Sequence, residues 1–206
     1  MCFEEETMMA DREKVMTRWE IINRFIMERN YWSFLEIGTK YGETFRQVAA
    51  EVKKSVDPDP GTAATFVMTS DTYFSIYKKD RYDIIFIDGL HESEQAYRDI
   101  RNAMKVLNRG GVIVVHDCKP ENEEMQQPYH GQFLWTGDVW KAFVKARAEL
   151  PYECYVIDTD FGCGIIDTTR KKTKNTEDLP TDMAGMSYGD FVKHPEWMDF
   201  RKEAEV

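Results

Sequence analysis

Two rhythms of apolar and polar residues run through the chain. One is short and strand-like. Ser33 to Ile37 is mostly apolar, and Tyr82 to Ile87 holds the unbroken run Ile84-Ile85-Phe86-Ile87, which suits a central parallel strand buried on both faces. Shorter runs follow the same habit: one ends at Asp57 before Pro58 and Pro60, one spans Thr65 to Met68, and one spans Val112 to Val115 after the turn Asn108-Arg109-Gly110-Gly111. Tyr152 to Ile157 and Gly164 to Asp167 read as two further strands joined through Asp158 to Cys163.

The other rhythm has helical spacing. Val15, Trp19, Ile22 and Ile26 make one apolar face in a helix predicted from Thr7 to Arg29. Ala96, Ile100, Ala103 and Leu107 do the same in Glu92 to Leu107. Glu43 to Val52 also reads as helix, and another starts at Gly137-Asp138-Val139-Trp140 with Asp138 as its N-cap. Strands alternating with helices predict an α/β fold with helices flanking a mostly parallel sheet. Between Lys119 and Thr136 lies a polar stretch with Pro120, Pro128, His130, Phe133 and Trp135. It is long for a plain connection and reads as a lid or substrate loop.

Composition narrows the class. A chain of 206 residues suits one domain with a sizeable core. The net charge of −10 repels nucleic-acid backbones, so no nucleic-acid partner is expected. No run of 18 apolar residues exists, so no membrane span is expected, and the acidic start Met1 to Glu6 does not read as a signal peptide. Cys2, Cys118, Cys154 and Cys163 lack Cys-x-x-Cys spacing and read as reduced thiols of a cytoplasmic protein, although Cys154 and Cys163 can face each other across a hairpin. Residues 1–167 read as the domain. Residues 168–206 read as a polar extension in which Tyr188, Phe191, Trp197 and Phe200 can anchor on the domain or on a second subunit, so a homodimer is one arrangement it allows.

The chemistry gathers around Glu36-Ile37-Gly38-Thr39-Lys40-Tyr41-Gly42, a strand end followed by a glycine turn and a helix. In an open α/β sheet, ligands bind at the carboxyl ends of the strands. The dinucleotide fingerprint Gly-x-Gly-x-x-Gly is broken, because position 40 is Lys and position 43 is Glu; this argues against an NAD-linked oxidoreductase. Asp57 stands 19 positions after Gly38, where a carboxylate can accept from both hydroxyls of a ribose; a turn aspartate before proline is the other reading. Ser70 and Asp71 can bond an adenine amino group, or cap the helix after them.

Phe34 to Gly42, Val56 to Pro58, Tyr82 to His91 and Arg109 to Asp117 stand in an order and spacing that resembles class I S-adenosylmethionine (SAM)-dependent methyltransferases, and most of all the small bacterial group of sugar and antibiotic O-methyltransferases. The resemblance covers about Phe34 to Asp117. It implies a Rossmann-like sheet of seven strands, mostly parallel, closed by an antiparallel hairpin. It implies SAM as cofactor, held by Glu36, Gly38, Thr39, Gly42, Asp57, Ser70, Asp71 and Asp88, and gives the N-terminal helix a share in the substrate wall. Related enzymes place magnesium on acids at the two strand ends that here carry Asp88 and Asp117. Where an acid pair is usual, this chain has His116-Asp117.

Methyl transfer to oxygen needs a base or a metal ion beside the methyl group. Asp88, His91 and Asp117 are the catalytic candidates, with His91 as general base because an imidazole titrates near neutrality. Asp88, His116 and Asp117 offer two carboxylates and an imidazole, a set that suits magnesium or, with His116 present, manganese. Asp88 can instead contact the cofactor or cap a helix, and His116 can be a neutral imidazole satisfied by the backbone. The expected activity is O-methylation of a small hydroxylated, sugar-like or secondary metabolite. The alternative outside catalysis is a SAM-binding scaffold protein.

Overall fold

The computed structural model describes residues 15–128, 134–173, 176 and 178–203. Its elements are α1 (Arg18–Arg29), β1 (Ser33–Ile37), α2 (Glu43–Gln47), β2 (Val52–Asp57), β3 (Phe66–Val67), α3 (Ser70–Ile76), β4 (Tyr82–Ile87), α4 (Ser93–Val106), β5 (Leu107–Val115), α5 (Val139–Glu149), β6 (Tyr152–Ile157), β7 (Cys163–Lys171), α6 (Tyr188–Lys193) and β8 (Phe200–Arg201). One sheet holds every strand among the described residues, in the order β3-β2-β1-β4-β5-β7-β6-β8. β7 is antiparallel to both its neighbours, and the other pairs are parallel. This is the mostly parallel sheet with an antiparallel closing hairpin, with helices on both faces.

Period-two alternation divides the core. In β4, Ile84 and Phe86 face one layer, with Ile21, Ile22, Phe25 and Ile26 of α1; Ile85 and Ile87 face the other, with α4 and α5. All four β4 side chains are buried, and full burial of one such side chain contributes roughly 1.5–3 kcal/mol. The same alternation puts Cys154 in the α4–α5 layer and Cys163 in the α1 layer. Opposite faces of a sheet cannot share a disulfide, and both thiols are free.

Several boundaries differ from the sequence pattern for visible reasons. The described helix α1 starts at Arg18, where Thr17 and Glu20 form a capping box, and Val15 lies before it and exposed; residues 7–14 of the predicted helix lie outside the described residues. α2 stops at Gln47 instead of running to Val52. The Lys53 ammonium donates to the carbonyls of Phe45 and Val48, while the Asn23 amide donates to Gln47 O and accepts from Ala49 N. These partners replace the next helical turn. The predicted turn at Asn108–Gly111 is instead the first part of β5, with a register irregularity against β4. Asp138 stands at the N-cap of α5, as expected, but its side chain makes no cap hydrogen bond there. Its carboxylate accepts from the backbone N–H and hydroxyl of Ser93 and so closes the start of α4.

The segment after β7 is built into the domain. β7 continues to Lys171, past the boundary expected at residue 168. Met183, Met186, Phe191 and Met198 are buried in the α4–α5 layer, and Phe191 packs on Trp140 at 5.1 Å between ring centroids. β8 adds an eighth strand beyond the seven expected, parallel to β6. Arg147 locks this segment by donating to the carbonyls of Cys154, Glu196 and Trp197.

Candidate active site

The carboxyl ends of the parallel strands open into a cleft of about 1130 Å³. That exceeds the roughly 300–1,000 Å³ of pockets for one drug-sized ligand and leaves room for two molecules side by side. Its wall holds Glu36, Gly38, Thr39, Asp57, Ser70, Asp71, Asp88, His91, His116 and Asp117. Of the predicted site residues only Gly42 is not on the wall; it takes a left-handed φ of 68° at the start of α2. No described residue after Phe161 lines the cleft, so the segment after β7 does not fill it.

On one side the loop's backbone amides are satisfied within the chain. Gly38 N–H continues the ladder to Val56 O at 2.9 Å, and the loop then folds against the end of β4. Gly38 has φ 87°, and a Cβ there would lie 2.0 Å from Asp88 O, so only glycine lets the two strand ends meet. Asp57 Oδ2 accepts from Thr39 N at 2.9 Å and Lys40 N at 2.8 Å, and Oδ1 accepts from Asp59 N. Asp57 thus makes a turn before Pro60 and clamps the glycine loop. Thr69, not Ser70 or Asp71, caps α3, which leaves those two on the cleft wall. Ser70 accepts from Gln95, which also donates to the buried Asp99. Burial pushes the Asp99 carboxyl up to about 6.

The other side is crowded with charge. Asp88 N–H bonds Ile37 O and His116 N–H bonds Ile87 O, so these residues leave adjacent strands at one level. His91 Nε2 lies 3.3 Å from Asp88 Oδ1, and its Nδ1 lies 3.2 Å from both Asp117 Oδ2 and Trp135 O. The Trp135 ring stacks on His91 at 4.9 Å. Behind it, Gly137 at φ 59° passes so close to His91 that a Cβ would collide with its carbonyl. Residues 129–133 of the expected loop, with His130 and Phe133, lie outside the described residues, whereas Thr136 and Gly137 are tied to Met125 O.

His116 is 6% exposed and makes no side-chain hydrogen bond. Its Nδ1 stands 3.4 Å from Asp88 Oδ1 and 3.3 Å from Asp117 Oδ1, and its Nε2 stands 3.5 Å from Asp160 Oδ1. Burial alone would lower its pKa, but Asp117 and Asp88 outweigh burial and hold it well above the ordinary imidazole range. His91 is raised in the same way, with burial opposed by Asp88 and Asp117. Asp88 is driven down, because His116 and His91 overcome the burial that would raise it. Glu36, 1% exposed, is pushed up to about 8 by burial and then by Asp88; its Oε2 and the Thr39 hydroxyl are buried without a hydrogen-bond partner.

Sequence reasoning missed Asp160 and Arg18. Asp160 sits in the β6–β7 connection, which the pattern gave only as the join between two strands, and Arg18 carries no motif. Lys40, Asp117, Asp160 and Phe161 on the cleft wall all have φ between 44° and 59°, a left-handed backbone that non-glycine residues seldom adopt.

Residues 35–118 match the family described as "Methyltransferase domain". No curated protein matches the sequence. Among solved structures, cofactor-bound Rv0187 from MTB is similar with a TM-score of 0.57 and 14% identity, covering 78% of this chain and 84% of that one. The O-methyltransferase from Bacillus cereus in complex with SAH gives 0.55 and 13%, covering 79% and 86%. The O-methyltransferase TomG from Streptomyces achromogenes, involved in tomaymycin synthesis and in complex with SAM, gives 0.55 and 13%, covering 73% and 79%. Residues 35–118 thus match a methyltransferase domain, and the sheet around them shares the fold of these solved structures.

Proposed function

We propose that the chain transfers a methyl group from SAM to a hydroxyl of a small polar acceptor, with His91 as general base. The observation that carries this reading is the meeting of a glycine loop with Asp88, His91, His116 and Asp117 in one cleft large enough for two ligands. The cofactor's needs fit the loop side. Glu36 Oε2 and the Thr39 hydroxyl are buried polar atoms without partners, suited to the charged ends of the methionine part. Asp57 retains one acceptor site on Oδ1 for a ribose hydroxyl beyond the three amides it holds, and the presence of Ser70 and Asp71 on the same wall supports a contact to adenine. When bound, SAM supplies a methyl group on a sulfonium.

His91 is oriented from both ring nitrogens, by Asp88 on one side and by Asp117 with Trp135 O on the other. In this reading it takes the acceptor's proton while the wall holds the oxygen in line with the methyl–sulfur bond; such positioning can supply up to ~7–11 kcal/mol. Asp88, His116 and Asp117 each bring one donor atom within 4.8 Å of the others, so the residues present fit a divalent ion. Such an ion would lower the pKa of an acceptor hydroxyl. With Glu43, Asp57, Asp71, Asp88, Asp99, Asp117 and Asp160 on the wall against Arg18, Lys40, His91 and His116, the acids still outnumber the bases, and the cleft favours neutral or cationic hydroxylated acceptors over anionic ones.

The test is calorimetric titration of the full chain with S-adenosylhomocysteine (SAH), with NAD in parallel. Micromolar binding of the first and none of the second is expected, and an acceptor screen with and without magnesium or manganese then follows. Asp57→Ala is expected to weaken SAH binding about 10-fold, or ~1.4 kcal/mol. Unchanged affinity would remove the ribose assignment, and no SAH binding at all would remove the enzymatic reading.

A further inference from the structure

His116 poses a question of charge. Its Nδ1 faces oxygens of Asp88 and Asp117, and its Nε2 faces Asp160, none in hydrogen-bond geometry. Two carboxylates facing one nitrogen call for a cation there, either the imidazole's own proton or a metal ion lying between the carboxylates and binding the nitrogen. Asp160 is itself firmly held. It accepts from Arg18 N at 2.8 Å and from the Arg18 guanidinium at 3.1 and 3.3 Å, and its backbone is left-handed at φ 46°. The β6–β7 connection that carries it is fastened to the end of β5 by Cys118 N–H to Gly162 O and Lys119 N–H to Phe161 O. Arg18 is anchored in turn by Thr44 and Glu43. Three separate segments thus fix one carboxylate beside one imidazole nitrogen.

We propose that Asp160, held by Arg18, is a positioning residue that takes the Nε2–H of His116 and turns Nδ1 toward the gap between Asp88 and Asp117, creating a mixed nitrogen and oxygen site that prefers manganese to magnesium. The inference rests on the metal reading of the same cleft. Nitrogen donors favour manganese over the harder magnesium ion, and a carboxylate on the far nitrogen of a ligating histidine fixes its tautomer and orientation. Asp160 contributes no ligand atom to the site; it acts through His116.

The test titrates the full chain with manganese alone and reads free manganese by electron paramagnetic resonance. Wild type should bind manganese, and magnesium should displace it only at large excess. Asp160→Asn should weaken manganese binding about 10- to 100-fold, with SAH affinity unchanged as the check on folding. In a His116→Asn background, Asp160→Asn should change nothing further. Undiminished manganese binding in Asp160→Asn would overturn the positioning role while leaving the metal reading in place. An equal loss in both backgrounds would also overturn it, since Asp160 would then act only through its charge. Equal affinity for the two ions would overturn the preference. No manganese binding by wild type would remove the metal reading itself and leave His116 as the cation among three carboxylates.

Discussion

The two halves of the cleft solve opposite problems. At the ends of β1 and β2 the chain satisfies most of its own polar groups. Asp57 clamps three backbone N–H groups, and Gly38 continues the ladder to Val56. At the ends of β4 and β5 the polar groups crowd without satisfying one another, and His116 has two buried nitrogens and no hydrogen bond. A binding loop gains from being rigid before its ligand arrives, because less ordering cost remains. A reacting centre gains from groups whose partners are still to come. Glu36 lies on the border. It belongs to the glycine motif by sequence, yet its buried oxygen has no partner and its carboxyl is raised to about 8.

The largest effect expected is from Gly38→Ala, which tests whether the halves are mechanically one. The added Cβ would meet Asp88 O at 2.0 Å, at a φ of 87°. The loss should be of order 3–5 kcal/mol, read as a fall in melting temperature with SAH binding abolished. A variant that melts like wild type would mean that the loop and the end of β4 are not coupled. Next comes His91→Gln, which should separate the halves. Turnover should fall about 10²- to 10⁴-fold with SAH affinity unchanged. In wild type, kcat/KM should rise with pH through a pKa above the ordinary 6.5, because the raised His91 must lose its proton to act as base. The variant should lose that acid limb; if it keeps it, another group is the base.

The smallest and subtlest effect concerns Glu36→Gln. A carboxyl raised in the folded state contributes stability that is present below its unfolded pKa of 4.5 and lost as pH rises toward about 8. Glutamine removes that loss, so the variant should gain stability over wild type between pH 5 and 8, with an upper limit of ~4–5 kcal/mol at pH 8. Melting curves at both pH values measure it. A gain that does not depend on pH would mean that Glu36 is ionised in the folded chain.

Much of the fold was legible along the chain. Ser33–Ile37, Tyr82–Ile87 and Tyr152–Ile157 form strands where the runs predict them, because short runs rich in β-branched and aromatic residues suit the pleated surface of a sheet. Helix ends were less legible. α2 is ended by Asn23 and Lys53, which reach it from other elements, and Asp138 spends its carboxylate on Ser93. Side chains borrowed across space leave no local pattern.

The same division runs through the candidate site. The sequence by itself determined where the main strands lie along the chain, the glycine loop and the residues at the strand ends, because burial period, backbone freedom and chain direction are local properties. Only the tertiary structure decided that Arg18 and Asp160 join the cleft, that Asp57 holds the loop, and that the segment after β7 supplies an eighth strand. Arg18 and Asp160 are 142 positions apart yet 2.8 Å from each other. That contact depends on α1 packing over the sheet while the β6–β7 connection folds back on β5, and no spacing along the chain encodes it.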